Sequence, residues 1–203
     1  MTLSAKGTRL NRRGLQTRRA LLKAAIRCLA VGGPDSASAS LVARETGVTW
    51  GTVQHQFGDV DGLWAAVLDH ISEQGDPIVA LDPEPSTVAD RVRAIVDQLW
   101  DALDSPGSRA IFNLRQALPR DRGELEADLP RTAAALSSWD ARWAATCEQA
   151  FAELGVDAAK LRRVRALLPG ALRGLHGERD LSTYVDLDEA RRGLSDAIIA
   201  YLS

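Results

Sequence analysis

The chain has 203 residues, of which 45% are hydrophobic and 26% charged, and its formal net charge is −2. These values are typical of a globular protein with one or two domains and a sizeable core. The two cysteines, Cys28 and Cys147, form no Cys-x-x-Cys motif, which argues against a disulfide scaffold or a zinc cluster. No stretch approaches the ~20 apolar residues of a membrane span, and the N-terminus lacks the apolar segment of a secretory signal. We therefore expect a cytoplasmic protein with no metal, no cofactor and no membrane contact.

The charge is unevenly distributed along the chain. Eight bases and no acid precede Cys28, and these bases are Lys6, Arg9, Arg12, Arg13, Arg18, Arg19, Lys23 and Arg27. A polyanionic partner would meet this end, because lysine and arginine displace counterions from phosphates. Residues 1–13 are polar as well as basic, so we expect a flexible arm there. The arm either lies along DNA or is a disordered tail that aids solubility.

Two short helices joined by a tight turn are predicted over residues 38–57. Ser38 can cap the first helix, Gly47 can adopt the left-handed conformation that ends it, and Thr49 can cap the second. A longer helix over residues 17–31 precedes this pair. The pattern is that of a helix-turn-helix, whose second helix enters the major groove of DNA, although two short helices of an ordinary core would show the same signals.

The rest of the chain also has helical spacing. Asp59 can cap a fourth helix, and a proline-rich segment follows it at 75–86. Further apolar stripes with helical spacing occupy 87–103, 108–118, a long region up to 154 that is interrupted near Pro130, 157–175, and 187 to the end. We therefore predict an all-α fold with a three-helix N-terminal DNA-binding head and a larger C-terminal helical domain for ligand binding and dimerisation. The predicted parts are a flexible basic arm at 1–13, a helix-turn-helix domain at 14–75 and a C-terminal domain at 76–203.

The N-terminal third resembles the TetR family of bacterial transcriptional regulators. The matching residues are Arg-Ala-Leu-Leu-Lys-Ala-Ala-Ile at 19–26, Ala-Arg-Glu-Thr-Gly-Val-Thr-Trp-Gly-Thr-Val at 43–53, Phe57-Gly-Asp and Leu63. The resemblance implies an all-α homodimer, most often a repressor. It also implies that a small molecule enters the C-terminal domain and reorients the DNA-reading heads. In the C-terminal two-thirds, the resemblance rests on helix count and order.

Two departures from the family pattern concern phosphate contacts. Gln54 and Gln56 stand where the family usually has a tyrosine and, two residues later, an aromatic residue or a histidine. Val60 stands where it usually has a lysine that meets a phosphate. We expect a weaker non-specific affinity and a shallower salt dependence as a result. These departures keep open the alternative of a helical small-molecule-binding or adaptor protein whose DNA binding is weakened or lost.

The candidate DNA-binding residues belong to the arm, the first helix and the helix-turn-helix. They are Arg12, Arg13, Thr17, Arg18, Ser38, Arg44, Thr49, Trp50, Thr52, Gln54 and His55. Thr52 and Gln54 can donate to a phosphate or a base edge, and Trp50 can press on a thymine methyl group or a sugar. Two alternatives remain: Trp50 can pack against the arm or a neighbouring helix, and Arg44 can pair with nearby acids.

The candidate effector-binding residues lie in the middle helices of the predicted C-terminal domain. They are Trp100, Phe112, Asn113, Arg115, Gln116, Trp139 and Trp143. An apolar cavity with a few polar groups is the usual ligand site, but the same tryptophans can simply be core residues.

The last two helices combine apolar stripes with charged backs. Two such helices from each of two subunits would make a four-helix bundle, with the candidate dimer contacts Leu168, Leu172, Leu175, Leu194, Ile198 and Tyr201. A twofold dimer would place its reading heads about one turn of DNA apart, ~34–36 Å, and require a palindromic operator. The three histidines form no catalytic or metal-binding motif, so we assign no catalytic residues and do not expect an enzyme.

Overall fold

The computed structural model describes residues 7, 9–74, 87–181 and 184–203. Within these ranges the chain forms ten α-helices and two short 3₁₀ helices, and no β-strand. The α-helices are α1 Arg12–Gly32, α2 Ala39–Glu45, α3 Trp50–Phe57, α4 Val60–Glu73, α5 Val88–Leu103, α6 Pro106–Ala117, α7 Arg122–Asp128, α8 Pro130–Phe151, α9 Ala158–Gly177 and α10 Leu187–Leu202. The predicted all-α fold is confirmed. None of the described helices combines the length and apolar character that a membrane crossing requires.

The first helix begins at Arg12, earlier than the predicted start at residue 17. Asn11 is its N-cap, and the Asn11 side chain accepts a hydrogen bond from the Gly14 amide at 2.8 Å. Gly14 does not break the helix, because the cap satisfies an amide of the first turn that has no partner within the helix. Arg12 and Arg13 are therefore helical and do not belong to a flexible arm. Residues 1–6 and 8 of the predicted arm lie outside the described residues.

The turn of the helix-turn-helix forms as its residues predict. The Ser38 side chain caps α2 by accepting a hydrogen bond from the Leu41 amide at 3.4 Å. Gly47 has a φ of +66°, in the left-handed region that favours glycine, and it reverses the chain between α2 and α3. Thr49 is the N-cap residue of α3, but its hydroxyl lies 3.3 Å from that of Thr52 and bonds to no backbone amide.

The described chain forms two compact units, each with its own hydrophobic core. Unit 1 comprises Met1–Gln74 and Ser105–Trp139, and unit 2 comprises Gly75–Asp104 and Asp140–Ser203. Helices α6, α7 and the first turns of α8 thus pack with the N-terminal helices. The compact units therefore do not coincide with the predicted parts 14–75 and 76–203, and the roles assigned to those parts stay predictions.

The core of unit 1 joins α1, α4 and α6. Its fully buried side chains include Leu21, Leu29, Leu63, Leu68 and Leu114. Asn113 of α6 donates a hydrogen bond to the Leu29 carbonyl of α1 at 2.7 Å, across 84 positions of sequence. This polar contact fixes α6 on α1 at a place where an unpaired carbonyl would otherwise cost free energy.

The core of unit 2 contains three of the predicted dimer contacts. Leu168, Leu172 and Ile198 are 4%, 1% and 4% exposed in the single protomer, where they pack with α5 and α8. Their own protomer covers them, so the prediction that they contact a second copy is wrong. Leu175 and Leu194 are half-buried, and Tyr201 remains exposed.

Two glycines of the helix-turn-helix test its turn geometry. Replacing Gly47 by alanine forces a side chain into the left-handed region, so we expect the free energy of unfolding to fall by about 1–2 kcal/mol. Gly51 of α3 is the matched control, because a methyl group there would lie 3.7 Å from Thr49 Oγ1, an ordinary van der Waals distance. Gly51→Ala should raise the unfolding free energy by up to about 1 kcal/mol. Denaturant titration measures both changes, and a neutral Gly47→Ala would contradict the assigned turn.

Candidate nucleic-acid interface

Helix α3 has one buried side and one exposed side. Val53 and Phe57 lie in the core of unit 1, whereas Gly51, Gln54 and His55 face solvent. The exposed residues follow the i, i+3, i+4 spacing of a single helix face. An exposed face without acidic side chains can approach DNA without charge repulsion.

The first turn of α3 is partly covered. Trp50 is half-buried and packs against the core of unit 1, which agrees with the packing alternative for this residue. Thr52 is half-buried and its hydroxyl lies next to that of Thr49, which is exposed. Thr49 is therefore the more accessible of the two hydroxyl groups.

Four predicted DNA-binding residues flank α3 with different degrees of exposure. Arg12 and Arg13 are exposed in the first turn of α1, and the Thr17 hydroxyl donates to the Arg13 carbonyl at 3.1 Å. Arg44 is exposed in the last turn of α2 and forms no salt bridge with a residue that the structure describes. The arginines can therefore reach a phosphate, whereas the Thr17 hydroxyl already has a partner.

Arg18 holds α3 in place. Its guanidinium donates to the Gln56 carbonyl at 2.7 Å and lies 4.3 Å from the centre of the Phe57 ring. Burial lowers the pKa of Arg18, and the charges of Asp69 and Glu73 partly oppose this shift. With these partners, Arg18 supports the recognition helix from within unit 1, and the prediction that it contacts DNA finds no support in its position.

Gln56 is a second structural contact in this region. Its side chain is buried, and its Nε2 donates to the Gly14 carbonyl at 3.3 Å. The contact attaches the end of α3 to the first turn of α1, which also carries Arg12 and Arg13. Gln56 therefore faces the protein interior and not a phosphate.

Asp61 connects α4 to the beginning of α8. Its carboxylate accepts hydrogen bonds from the backbone amides of Arg131 and Thr132 at 3.0 and 2.8 Å, and from Arg131 Nε at 3.1 Å. Burial on its own would raise the pKa of Asp61, but the hydrogen bonds from Thr132 and Arg131 outweigh it and hold the pKa below its ordinary value. The sequence carries no signal for this contact, because 70 positions separate Asp61 from Arg131.

The Arg131 guanidinium also reaches the end of the recognition helix. Its Nη1 donates to the Phe57 carbonyl at 3.3 Å, and its Nη2 pairs with the carboxylate of Asp59. Asp59 in turn caps α4 by accepting from the Gly62 amide at 2.8 Å. Side chains from α1 and from α8 therefore both bind carbonyl groups of the last turn of α3.

Residues 21–67 match a family model described as bacterial regulatory proteins, tetR family. Over these residues the chain is similar to the TetR family. The match runs from α1 through the helix-turn-helix into α4, the part of the chain that carries the exposed α3 face. It covers the segment in which the sequence resembled this family.

One relative and two solved structures are also similar to the chain. The chain is 36% identical over 87 residues to the HTH-type transcriptional regulator BetI of Proteus mirabilis (strain HI4320), a match that spans 40% of the chain and 42% of the relative. A TetR-family regulator structure from Rhodococcus sp. superposes with a TM-score of 0.63 at 22% identity, covering 93% of this chain and 100% of the other. The structure of NalD, the secondary repressor of the MexAB-OprM multidrug efflux pump in Pseudomonas aeruginosa, gives 0.64 at 21% identity, with 95% and 98% covered. The two structures show that the chain shares their fold over nearly its whole length.

The predicted effector residues are divided between the two compact units. Trp100 and Trp143 belong to unit 2, whereas α6 carries the next four in unit 1, namely Phe112, Asn113, Arg115 and Gln116. Phe112 is 46% exposed, and the Asn113 side chain is already bonded to α1. Trp139 is the last residue of unit 1.

Unit 2 contains a small apolar cavity between its helices. Its lining consists of Val92, Ile95, Trp143, Cys147, Phe151, Leu161, Val164, Arg165, Leu168 and Ile198. Its volume is about 10 Å³, near the least that one water molecule needs. Trp143 is held at the cavity by a hydrogen bond from its Nε1 to the Arg165 carbonyl at 2.9 Å. Of the predicted effector residues, Trp143 alone belongs to this lining.

Trp100 lies at a different place in unit 2. Its ring meets the His176 ring edge-on at 5.5 Å, and the Arg191 guanidinium lies 5.5 Å from its centre. It borders an open cleft of about 430 Å³ whose other lining residues are mainly charged: Asp101, Asp104, Arg179, Val185, Asp186, Leu187 and Asp188. Among the described residues, no group of three or more histidine, cysteine or acidic side chains is arranged to hold a metal ion.

The low pKa of Asp61 predicts a pH-dependent contribution to stability. A carboxylate whose pKa is lower in the folded state stabilises the protein above its unfolded pKa of about 3.9, and the contribution is lost as the pH falls through the folded value. Asp61→Asn should therefore lower the unfolding free energy at pH 7 by about 1–3 kcal/mol, since it leaves buried amides without a full partner. The difference from wild type should shrink below about pH 4. Denaturant titrations from pH 3 to pH 7 measure it, and a difference that stays constant would show that the charge contributes nothing.

Proposed function

We propose that this protein is a TetR-family, ligand-responsive, DNA-binding transcriptional regulator of the bacterial cytoplasm, and not an enzyme. In this proposal it acts as a repressor that releases a palindromic operator when a small molecule binds its C-terminal part. The exposed face of α3 beside the basic first turn of α1 is the observation that carries the proposal.

The two parts of this surface suit the two kinds of DNA contact. Gln54 offers a donor and an acceptor to a base edge, as glutamine does when it binds adenine bidentately. Arg12, Arg13 and Arg44 are exposed cations that suit phosphates, whose contacts set the register of a protein on DNA but carry no sequence information. The Gln56–Gly14 hydrogen bond supports this division of labour, because it fastens the basic turn to the reading helix.

The cavity in unit 2 is the proposed effector site. Its lining is apolar and aromatic, as is usual for small-molecule sites, but ligand pockets of ~300–1,000 Å³ are far larger than its 10 Å³. An effector would therefore have to displace side chains as it enters. We propose Trp143 and Cys147 as its contacts, since both line the cavity from α8.

The proposed homodimer uses the outer face of α9 and α10. This face carries small or apolar exposed residues: Ala166, Leu167, Gly170 and Gly174 on α9, and Gly193, Ala197, Ala200 and Tyr201 on α10. It also carries Arg163, whose guanidinium donates to the Tyr201 hydroxyl at 2.8 Å. Leu167 is 58% exposed in the protomer, and nothing within 4 Å would meet a side chain built on Gly170 or Gly174. Small residues let helices approach closely, so this face suits packing against its own copy in a four-helix bundle.

DNA binding is tested first with duplexes that the wild-type protein selects from a random library. We expect Gln54→Ala to lower the affinity for the selected duplex by about 5- to 150-fold through the loss of a base contact. The double substitution Arg12→Ala with Arg13→Ala should lower the affinity for all duplexes by the same factor, whatever their sequence. It should also reduce the slope of log K against log salt by about 2, one unit for each phosphate contact.

Electrophoretic mobility or anisotropy titrations at several salt concentrations separate these effects. Arg122→Ala is the control, because Arg122 is an exposed arginine of α7 that pairs with Glu126 at 2.7 Å. If the wild-type protein bound no duplex even at low salt, the adaptor alternative would replace the regulator.

A second experiment tests the dimer. Gly170→Arg places a long cation on the outer face without meeting a neighbour in the protomer, so the melting temperature of the protomer fold should be preserved. We expect analytical ultracentrifugation to show a dimer for the wild type and a monomer for Gly170→Arg. Ala127→Arg, on the exposed surface of α7, is the matched control and should stay dimeric. A Gly170→Arg dimer of unchanged stability would exclude this face.

A further inference from the structure

We propose that Arg131 is a positioning residue for DNA reading, which fixes the C-terminal end of the recognition helix α3 from the first turn of α8. The inference rests on the proposed function and deepens it, since it names a residue outside the helix-turn-helix that sets the orientation of the reading face. We call the contacts of Arg131 and Thr132 with Phe57, Asp59 and Asp61 the α8 latch.

The latch acts on carbonyl groups that need partners. The last four carbonyls of a helix have no partner within it, and cations near a helix C-terminus are favoured by the helix dipole. In α3 the Phe57 carbonyl accepts from Arg131 Nη1 at 3.3 Å, and the Gln56 carbonyl accepts from Arg18 at 2.7 Å. The end of α3 is thus held from two sides by cations 113 positions apart in the chain, at residues 18 and 131.

The direction of Arg131 is itself set by Asp61. The Asp61 carboxylate binds Arg131 Nε at 3.1 Å and also caps α8 through the amides of Arg131 and Thr132. The Thr132 hydroxyl closes the arrangement by donating to the Asp61 backbone carbonyl at 3.1 Å, and Thr132 is 0% exposed. The latch therefore fixes both the backbone and the side chain of residue 131.

A glycine makes room for the latch. A methyl group on Gly62 would lie 2.1 Å from the Phe57 carbonyl oxygen and 2.6 Å from Arg131 Nη1. Either the end of α3 or the Arg131 guanidinium would have to move to admit it. The close approach of α4, α3 and Arg131 thus requires glycine at position 62.

The charges around Arg131 argue for positioning and not for a phosphate contact. One guanidinium faces the two carboxylates of Asp59 and Asp61, so the group as a whole carries a net negative charge. A negatively charged phosphate would have little electrostatic attraction to a group with this net charge. Base-edge hydrogen bonds, in contrast, require the reading side chains within a few tenths of an ångström, so a loose α3 would lose selectivity before it lost general affinity.

The test compares two duplexes bound by the full-length protein: one that wild type selects from a random library, and a scrambled duplex of the same length and composition. Arg131→Gln should reduce the affinity ratio of selected to scrambled duplex by about tenfold, the effect of roughly one lost base contact. Affinity for the scrambled duplex and its salt slope should stay within about twofold of wild type, since no phosphate contact is removed.

Arg122→Gln is the matched control, because it removes the same charge from an exposed site on α7. Its affinity ratio should equal that of wild type. Asp61→Asn should reduce the ratio as Arg131→Gln does, and the double variant should be no worse than either alone, because the two residues act as one unit.

Several outcomes would overturn the positioning role. One is an unchanged ratio in an Arg131→Gln protein that is folded at the assay temperature by circular dichroism. Another is an equal loss for both duplexes with a smaller salt slope, which would make Arg131 a phosphate contact. If Arg131→Gln did not fold, Arg131→Lys would replace it in the test, since lysine keeps the charge but lacks the planar guanidinium with its several donors. A wild-type affinity ratio of selected to scrambled duplex in Arg131→Lys would count against the latch. A wild-type protein without preference for any duplex would instead refute the proposed function, and the latch with it.

Discussion

The orientation of α3 depends on the carbonyl groups at its C-terminal end. A helix of only Trp50–Phe57 has few internal hydrogen bonds, so its direction must come from contacts with its neighbours. Its apolar side supplies Val53 and Phe57 to the core, and its last carbonyls bind the guanidinium groups of Arg18 and Arg131. Hydrophobic burial is non-directional, whereas hydrogen bonds to carbonyls have a preferred geometry. In the proposed latch, the arginines set how α3 is turned about its axis, and with it which of its residues face outward.

Helix α3 is held in part by α8, which lies far from it in the sequence. The first turns of α8 belong to unit 1 and carry Arg131 and Thr132, whereas its later turns belong to unit 2 and carry Trp143 and Cys147. In the proposed function, α8 thus contributes both to the support of the reading helix and to the effector site.

Local signals in the sequence predicted local structure well. The caps Ser38 and Asp59, the turn at Gly47 and the helix break near Pro130 all depend on residues within four positions of each other, so the sequence contains the whole cause. The same reasoning overlooked Asn11 as a cap and so began α1 too late. Where a helix has two plausible starts, the outcome depends on which side chain reaches the free amides.

Long-range contacts were not predictable, because a polar side chain can bind several kinds of partner and the sequence does not show which partner the fold brings near it. Arg18 looked like a residue for phosphates, but its guanidinium holds α3 from inside unit 1. Leu168 and Ile198 looked like dimer contacts because an apolar stripe shows that a face is buried but not what covers it. By itself, the sequence determined the helices, the turn of the helix-turn-helix and the TetR-family pattern, since these rest on near neighbours. Only the tertiary structure decided that Arg131 reaches Phe57 and Asp61, because packing brings together residues that are 74 and 70 positions apart.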